Sequence, residues 1–588
     1  MPITSIAILP FDNLSPEAGA DYLSDGIAEE IMVTFARFEG IRVASRTSAF
    51  YFKRREASVE EIGQKLNVDH LLEGSIKLFG NRIRVNVQLV STHSGFSLWT
   101  ESYDRTLDDL LDLQIEISEW VFQKFLQQNA HLTAVPSALR SDISPRAYEH
   151  YLKGRYHFNS YTMSHFRKAI DCYQMALDIQ ADFAAAMAAQ AICYVGLGGY
   201  VDTAYYQKGK EAALSAMAMN DQLLDSYIAL GYIQMFHDRD WMAARASLLQ
   251  AVAINNQSAE AHRAYGVFLM LSEEPQSAIY EHELALKYDP LNTVILNGLG
   301  IINATIGKYE RAQEVYEQIL SLDKEFYPVF ESLAWLHTYQ GRWAEAIPFF
   351  RRYREAVNDP LKGQMGLGYA LARSGQSQEA YNLLASLDQR QAKYPNESIA
   401  LDYATIYMGL KQTEKVFFYL QKSVKDKFIL TNFALICDPT FQPLRQDKRF
   451  EELLNQTGYF YYQKNKQQAH TNKDSLLQIQ ADTKEQLNLL ASQLLYIEAK
   501  GNYADFIYRE GGELQHKLLR LSLADAKTQI DHPHIVQCHR SYLVNLAQFE
   551  SLEGNAKKYE LRSPWLPHGI PVSRSQGNTL KAHLKTLQ

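Results

Sequence analysis

Near its carboxyl end the chain reads Cys538-His539-Arg540-Ser541-Tyr542-Leu543-Val544-Asn545-Leu546. Tyr542, Val544 and Leu546 occupy alternate positions of a predicted β-strand, in which every second residue points to the same face. Tyr542, Val544 and Leu546 are therefore predicted to face a core. Arg540 falls between this strand and the run before it, so a loop is predicted to carry it.

The same alternation extends outward from this stretch over the whole C-terminal region. A helical period gives way to it at Leu476, and one short helix is predicted at 522–530. The predicted strands are 476–481, 486–490, 494–498, 504–508, 515–520, 535–538, 541–545, 547–552, 557–562 and 570–573. The region 476–588 is therefore predicted to be a mostly-β domain.

Two further segments of this region combine with Cys538–Leu546 into a pattern. Upstream lies Leu495-Tyr496-Ile497-Glu498-Ala499-Lys500-Gly501-Asn502-Tyr503, and downstream comes Ile570-Pro571-Val572-Ser573-Arg574-Ser575. In this order and at this spacing the three segments resemble the LytTR family of bacterial DNA-binding domains. The resemblance spans about 476–588. It implies a compact, mostly-β domain that inserts loops, rather than a recognition helix, into successive major grooves of duplex DNA.

The resemblance also implies positions for the DNA-contacting residues. It places Arg540 in a central base-contacting loop, and Arg574 or Ser575 in a C-terminal one. The first contacting loop falls at Asn502, where the small Ala504 is unsuited to reading a base edge. The full set of predicted DNA-binding residues is Lys500, Asn502, Tyr503, His539, Arg540, Ser541, Lys557, Lys558, Ser573, Arg574, Ser575 and Lys581.

The chemistry of these side chains agrees with that assignment. Arginine presents a fork that binds guanine O6 and N7, and asparagine one that matches adenine. The hydroxyl and ammonium groups suit phosphate contacts, which position a protein without reading sequence. These are Ser541, Ser573, Lys557, Lys558 and Lys581. The alternative for Arg540 is an ion pair with a nearby carboxylate.

Charge is distributed unevenly along the chain. The 588 residues carry a formal net charge of -8. Residues 485–588, however, hold twelve Lys and Arg against ten Asp and Glu. A basic end on an acidic body fits a region that meets phosphate. A solvated, charged edge is the alternative explanation.

The first region, 1–128, alternates predicted strands with helices and is predicted to be an α/β domain with a mixed sheet. Its motifs include Leu9-Pro10-Phe11, Ser45-Arg46-Thr47-Ser48 and Leu72-Glu73-Gly74-Ser75. These resemble the TolB-like N-terminal domain found before helical repeats in bacterial regulators. That resemblance implies the fold of the domain and its position before helical repeats in a bacterial regulator, but it implies no activity. Tyr103-Asp104-Arg105 suggests either a ligand clamp or a structural ion pair.

The middle region, 145–458, contains an internal repeat of 34 residues. Alanine recurs at 244, 278, 312, 346 and 380, and a small residue recurs at 266, 300, 334 and 368. A small residue on each of two helices at this period is typical of tetratricopeptide (TPR) repeats. About eight helix pairs are predicted, stacked as a right-handed solenoid whose concave face binds an unknown protein or peptide partner. Residues 459–475 are predicted to be a linker.

Other chemistry has little support in the sequence. No catalytic signature and no cofactor site is predicted. His532, His534, Cys538 and His539 are crowded, yet they lack a companion pair at zinc-site spacing, so no metal is expected. The uncharged stretch 183–201 is interpreted as a buried repeat helix, and no membrane span is expected. The four scattered cysteines suit reduced thiols in a cytoplasm.

These patterns together predict a cytoplasmic bacterial transcription regulator that is not an enzyme. The C-terminal domain would bind duplex DNA, where a homodimer is expected, and the solenoid would bind a partner. The alternative is a protein-protein interaction scaffold without sequence-specific DNA binding.

Overall fold

The chain folds into two compact units, Met1–Phe460 and Tyr461–Gln588. The computed structural model describes residues 4–15, 20–35, 41–53, 57–128, 143–159, 162–357, 363–394, 398–459, 462–463, 476–483, 485–510, 513–530, 534–549, 551–555, 558–566, 568–573, 576–577, 580–581 and 584.

The first unit begins with a mixed sheet, as predicted. Its strands are β1 (Thr4–Ile8), β2 (Asp12–Asn13), β3 (Ile41–Val43), β4 (His70–Phe79), β5 (Arg82–Ser91) and β6 (Ser97–Thr106). They run in the order β3-β1-β4-β5-β6, with β2 beside β4. β1 is parallel to β3 and β4, whereas β4, β5 and β6 are antiparallel. Gly80 has φ +58 at the β4–β5 turn, a conformation that glycine adopts without strain.

In the described part of this domain, four α-helices accompany the sheet. They are α1 (Asp21–Phe35), α2 (Arg46–Phe50), α3 (Val59–Leu66) and α4 (Leu110–Gln128). A capping box begins α3: the Ser58 hydroxyl accepts the Glu61 N–H, and the Glu61 side chain accepts the Ser58 N–H. The short α2 was not predicted, because five residues are too few to show a helical period.

The Tyr103-Asp104-Arg105 motif is structural. Tyr103 is buried. Asp104 pairs with Arg84 across the β5–β6 ladder at 2.9 Å, and Arg105 pairs with Glu116 at 2.9 Å. The motif therefore ties strand β6 to its neighbours.

Eight helix pairs follow in the described residues, matching the number that the repeat predicts. The pairs are α5 (Pro145–Phe158) and α6 (Met163–Ile179); α7 (Ala184–Tyr200) and α8 (Ala204–Met219); α9 (Leu224–Ile233) and α10 (Trp241–Ile254); α11 (Ala259–Leu271) and α12 (Pro275–Tyr288); α13 (Thr293–Thr305) and α14 (Tyr309–Leu322); α15 (Pro328–Tyr339) and α16 (Trp343–Val357); α17 (Gln364–Arg373) and α18 (Ser377–Lys393); α19 (Ala400–Gly409) and α20 (Thr413–Asp426).

Small residues allow the two helices of a pair to approach closely. A Cβ atom added to Gly300 would lie 2.2 Å from Cε1 of Tyr316, so the ring occupies the space that glycine leaves. Ala312 is fully buried at the same contact. In the preceding pair, the ring of His282 on α12 fills the corresponding space beside Gly266 on α11, 2.5 Å from an added Cβ atom. The periodic Gly and Ala positions are therefore packing positions.

The α/β domain is docked on the solenoid by buried polar contacts. Glu29 of α1 accepts hydrogen bonds from Arg155 of α5 and from Arg46 of α2. The hydroxyl of Ser48 donates to Asp289 Oδ1 at 2.5 Å, at the loop between α12 and α13. Neighbouring charges hold the pKa of the buried Glu29 below its usual value despite the opposing effect of burial.

After α20 the chain turns back across earlier repeats. We call Ile429–Tyr459 the bridging segment. It contains α21 (Leu430–Ile436), a 3-10 helix (Pro439–Leu444) and α22 (Lys448–Gln456). Its contacts join Ile429 to Gly199, Asn432 to the Met235 carbonyl, Cys437 to the Met270 carbonyl, Asp438 to Tyr339, and Thr457 to Trp241. The segment therefore contacts several helices from α7 to α20 and lies across several repeats of the solenoid.

The second unit is β-rich, as predicted. Its strands are β7 (Leu476–Gln480), β8 (Gln486–Leu490), β9 (Leu494–Lys500), β10 (Tyr503–Glu510), β11 (Glu513–Leu519), β12 (Ile535–His539), β13 (Tyr542–Asn545), β14 (Ser551–Asn555), β15 (Lys558–Arg562) and β16 (Ile570–Val572). They form a hairpin β7-β8, a five-stranded sheet β11-β10-β9-β13-β12 and a three-stranded sheet β14-β15-β16. Helix α23 (Leu523–Gln529) packs against the five-stranded sheet. Val544 and Leu546 are buried and Tyr542 is half-buried.

One predicted strand, 547–552, was wrong in its position. Leu546–Gln548 forms a 3-10 helix, and the strand starts only at Ser551. The side chain of Asn545 accepts the N–H of Ala547, and this local hydrogen bond competes with the strand conformation.

Candidate nucleic-acid interface

Two hairpin loops of the five-stranded sheet lie side by side. The β9–β10 hairpin turns at Gly501 and Asn502, and the β12–β13 hairpin turns at Arg540 and Ser541. Strands β9 and β13 pair antiparallel, and the Ala499 N–H donates to the Ser541 carbonyl at 2.9 Å. Both loops therefore project from the same end of the sheet, which we call the loop end.

The third predicted segment joins the other two at the loop end. The N–H of Ser573 donates to the carbonyl of Cys538 at 2.8 Å, which holds the end of β16 against the last residues of β12. Tyr559 pairs with Val572, so Lys558, at the start of β15, also lies at this end. Segments that are far apart in sequence therefore meet on one surface.

Local hydrogen bonds give the two loops defined shapes. Gly501 has φ +65 at the first position of a two-residue turn, as in a type II′ hairpin turn. In the other hairpin, the Ser541 N–H donates to His539 Nδ1 at 3.3 Å. His539 therefore braces the loop that presents Arg540. His539 was predicted as a DNA contact, and its ring is half-buried in this bracing position.

The side chains at the loop tips are exposed. Asn502, Tyr503 and Arg540 all face solvent, and Tyr503 is 41% exposed. Arg540 makes no hydrogen bond or ion pair with any residue that the structure describes. The carboxylate partner considered as an alternative for Arg540 is absent from that described part of the chain.

Lys500 differs from Arg540 because its ammonium group forms ion pairs within the domain. Its ammonium lies 2.6 Å from Asp505 Oδ2 and 3.6 Å from Glu498 Oε2. The hydrogen bond to Asp505 raises the pKa of Lys500. Tyr542 donates to the other oxygen of Glu498 at 2.7 Å. Lys500 therefore neutralises two carboxylates that would otherwise repel a phosphate backbone.

Several predicted contacts cannot be placed. Lys557, Arg574 and Ser575 lie outside the described residues, as does the side chain of Lys558. Lys581 is described and exposed on the terminal helix, and Ser573 is half-buried.

Arg520 was not predicted and lies at the same loop end. Strand β11 pairs with β10 so that Leu519 opposes Ala504, which puts the next residue, Arg520, beside Tyr503. Arg520 is exposed, and its carbonyl accepts the Asp482 N–H at 3.0 Å. The sequence signal was a cation at the end of a predicted strand. That signal has meaning only once the strand register is known.

Alternative chemistry gains no support at this surface. Within the described part of the chain, no group of three or more His, Cys, Asp or Glu is arranged to hold a metal, and His532 lies outside that part. Cys538 is buried, and burial raises the pKa of its thiol to about 12. A thiol with so high a pKa is a poor nucleophile. Among the described residues, no helix is both long enough and apolar enough for a membrane span.

The bridging segment packs on the last repeat of the solenoid, where Phe441 and Phe450 are buried among residues of α19 and α20. A protein or peptide partner on the concave face stays a prediction.

Three parts of the chain match known families. Residues 484–585 match the LytTr DNA-binding domain, residues 3–120 match the second domain of HilA/YgeH-like transcriptional regulators, and residues 329–362 match a tetratricopeptide repeat. The chain thus joins a LytTr DNA-binding domain to tetratricopeptide repeats and to a domain known from transcriptional regulators. The match at 3–120 is to a different family from the TolB-like one that the motifs suggest, and the TolB-like assignment stays a prediction.

Similarity to individual proteins is partial. Putative adenylate cyclase 3 of Rhizobium meliloti (strain 1021) is 32% identical over 194 residues, which is 32% of this chain and 32% of that protein. Type IV pilus assembly protein PilF of Pseudomonas aeruginosa (strain PAO1) is 30% identical over 165 residues, covering 27% of this chain and 61% of PilF. The matched part of the chain therefore spans about a third of the length of the cyclase relative and under two thirds of the length of PilF. A structure of PilW, a type IV pilus biogenesis factor, covers 40% of this chain and 99% of PilW at 21% identity, with a TM-score of 0.31.

Proposed function

We propose that this protein is a cytoplasmic bacterial transcription regulator whose C-terminal domain binds duplex DNA through the loop end of its five-stranded sheet. The observation that carries the proposal is the convergence of three segments, near Asn502, Arg540 and Ser573, on one exposed surface. Loops that project side by side can enter successive stretches of a groove. The match of residues 484–585 to the LytTr DNA-binding domain supports the same function.

The roles of the contacting residues follow from their exposure and chemistry. Arg540, at the tip of the β12–β13 hairpin, would read guanine, and Asn502 would read adenine. The phosphate contacts would come from Ser541, Ser573, Lys557, Lys558, Lys581 and, in addition to the predicted set, Arg520. Arg574 or Ser575 would add a base contact from the third segment, and Tyr503 would contact the backbone beside Asn502. His539 would act by bracing the loop, and Lys500 by neutralising carboxylates.

The first unit would supply the input to this output domain. Tetratricopeptide solenoids present extended surfaces to protein partners, so a protein or peptide partner is the expected signal. The N-terminal domain, TolB-like in its motifs, would hold the first repeats in place. We infer no cyclase activity from the adenylate cyclase relative, because only a third of that protein is matched. A homodimer on DNA remains part of the proposal.

A second function is a protein-protein interaction scaffold. The repeat match at 329–362 favours it, since this region alone would serve a scaffold. The two functions differ in whether the loop end recognises DNA sequence.

The test uses the full-length protein and a randomised duplex library. Selection at low salt should enrich one sequence, and its affinity should fall steeply as salt rises because bound cations displace counterions. Arg540→Ala should lose about 1–3 kcal/mol of discrimination at one base pair, measured by fluorescence anisotropy. The control is Arg562→Ala, since Arg562 pairs with Glu553 at the far end of β15. A library that shows neither enrichment nor low-salt binding would favour the scaffold.

A further inference from the structure

A cleft of about 680 Å³ opens in the N-terminal domain. One wall is the loop 9–14, which follows β1 directly, so the cleft lies beyond the carboxyl end of that strand. Strand β1 is parallel to both of its neighbours, β3 and β4. In open α/β sheets, ligands usually bind in the crevice outside the carboxyl ends of parallel strands. The volume is in the range of small-molecule sites and is far larger than one water molecule needs.

The floor of the cleft consists of polar side chains on one face of the sheet. Glu73 of β4 lies opposite Gln88 of β5, which lies opposite Thr100 of β6. Ser75 and Asn86 form the next row, two residues along their strands. Because the side chains of a strand alternate between its faces, all five lie on the same side of the sheet. The domain packs its core on the other face of β5, so this polar face is left to the cleft.

Hydrogen bonds between the strands hold this floor in place. Nε2 of Gln88 donates to Glu73 Oε1 at 3.2 Å, and Nδ2 of Asn86 donates to Ser75 Oγ at 3.1 Å. The hydroxyl of Thr100 donates to Gln88 Oε1 at 3.5 Å. Side chains that are already ordered lose little conformational entropy when a ligand binds. The floor is therefore organised for binding before any ligand arrives.

Negative charge predominates among the described residues of the cleft. The carboxylates of Asp12, Asp21 and Glu73 line it, together with one described cation, Lys53. The ammonium of Lys53 is already paired, because it lies 2.5 and 2.7 Å from the two oxygens of Asp25. The described lining therefore attracts cations rather than anions.

Two of these carboxylates lie close enough to repel each other. Burial, and then the charge of Asp12, raise the pKa of Glu73. The Asp12 side chain makes no hydrogen bond or ion pair with any residue that the structure describes. A cation between the two would offset their repulsion. Since no three carboxylates in the described part of the chain are arranged to hold a metal, an organic cation fits this geometry better than a metal ion.

We propose that this cleft binds a small organic cation that carries a primary ammonium group, and that the ammonium lies between Asp12 and Glu73. An ammonium donates three hydrogen bonds, which the two carboxylates can accept. The polar floor at Ser75, Asn86 and Gln88 would contact the rest of the molecule. The site goes beyond the proposed function, because it gives the first unit a small-molecule ligand in addition to a protein or peptide partner.

Titration calorimetry of the full-length protein tests for this ligand. The probes are butylamine, butane-1,4-diamine and spermidine, which carry increasing numbers of ammonium groups, and the uncharged control is butane-1,4-diol. The titrations are made at low ionic strength, where charge interactions are screened least. At least one amine should bind saturably to one site in each chain, and the diol should not bind.

Two variants locate the binding in the cleft. Glu73→Gln and Asp12→Asn keep the shape of the side chain and remove its charge. Each should weaken binding about tenfold or more, because a hydrogen bond between charged groups is lost. The matched control is Glu101→Gln, since Glu101 is exposed beside Thr100 on β6 but does not line the cleft. Its affinity should stay close to that of the wild type, and thermal unfolding checks that each variant folds.

Several results would overturn the proposal. The first is that none of the three amines binds saturably, or that the diol binds equally well. The second is an equal loss of affinity in Glu101→Gln, because general attraction to a chain of net charge -8 would then explain the binding. The third is an unchanged affinity in both Glu73→Gln and Asp12→Asn. None of these measurements involves DNA, so failure of this site is distinct from failure of the proposed function.

Discussion

At the scale of single residues, Lys500 shows how the location of a charge decides its use. The chain places Lys500 next to the β9–β10 loop, which is proposed to contact DNA, and this made Lys500 a candidate for a direct contact. Its ammonium, however, lies between Asp505 and Glu498, and the Asp505 side chain is only 6% exposed. A cation bound to two carboxylates has little charge left for a phosphate.

This arrangement predicts the behaviour of Lys500 variants. Lys500→Gln should weaken binding to every duplex severalfold, because Asp505 and Glu498 would then repel the phosphate backbone. The double variant Lys500→Gln with Asp505→Asn should recover most of the loss. Fluorescence anisotropy of the full-length protein with one duplex at low salt measures both. A double variant as weak as the single one would instead assign Lys500 a direct contact.

Asp438 gives a prediction for stability against pH. Its pKa is about 6 in the folded chain and 3.8 in its ordinary state, so the folded form binds more protons between these values. Stability is therefore fully present below pH 3.8 and declines as pH rises to 6, by on the order of 2–3 kcal/mol. Asp438→Asn cannot ionise and should be more stable than the wild type at pH 7.5, with the difference vanishing near pH 4.

Urea unfolding of the full-length chain at the two pH values measures this difference. Asp447 is the comparison, because it is a half-buried helix N-cap whose pKa is lowered by hydrogen bonds from Arg449. Asp447→Asn should give no stabilisation at pH 7.5. An Asp438→Asn variant that is less stable than the wild type at pH 7.5 would show that the carboxylate is favourable where it lies.

The candidate site could be predicted in part from residues alone. The three segments and their order were visible, and so was the exposed Arg540. Arg520 was missed because its position beside Tyr503 depends on the pairing of β10 with β11, which the sequence does not specify. The bracing role of His539 was missed because it depends on one hydrogen bond across a turn.

At the scale of elements, the 34-residue period predicted the repeat helices because every helix pair needs small residues where its two helices approach closely. Gly300 is the clearest case. A Cβ atom there would lie 2.2 Å from the ring of the fully buried Tyr316. Gly300→Ala should therefore destabilise the chain by about 1–3 kcal/mol through overpacking, as measured by urea unfolding.

A second substitution tests this explanation. In a Tyr316→Leu background the ring carbon is gone, so adding the methyl group at residue 300 should cost less than in the wild type. Equal costs in both backgrounds would place the strain elsewhere, for example in the backbone of α13.

The bridging segment was not predictable in the same way. Its helix α22 buries Phe450 and Leu453 on one face. Its contacts with Gly199, Met235 and Met270 join residues more than 160 positions apart. A periodic pattern indicates only contacts between neighbouring repeats, so it cannot predict contacts between the bridging segment and distant repeats.

At the scale of the whole molecule, buried charges hold the N-terminal domain to the solenoid. The side chain of Glu29 is 5% exposed and bonds Arg155, Arg46 and Asn159. Its link to Arg155 crosses 126 positions of sequence. Composition and motifs divided this region into two domains, 1–128 and 145–458, and gave no sign that the two share a buried ion pair.

The buried ion pair between Glu29 and Arg155 leads to a prediction about whether the two domains unfold cooperatively. Arg155→Met removes the positive partner and leaves the Glu29 carboxylate undercompensated, which should destabilise the first unit by about 3 kcal/mol. In calorimetry the wild-type N-terminal domain should unfold together with the solenoid, whereas in Arg155→Met it should unfold first. The double variant Glu29→Gln with Arg155→Met should regain stability, because no unpaired charge is buried.

Arg311→Ala, which breaks an exposed pair with Glu314, should change stability by less than about 1 kcal/mol. If Arg155→Met behaved like Arg311→Ala, the ion pair would not be what couples the two domains, and their joint unfolding would have to come from the apolar contacts between α1 and α5.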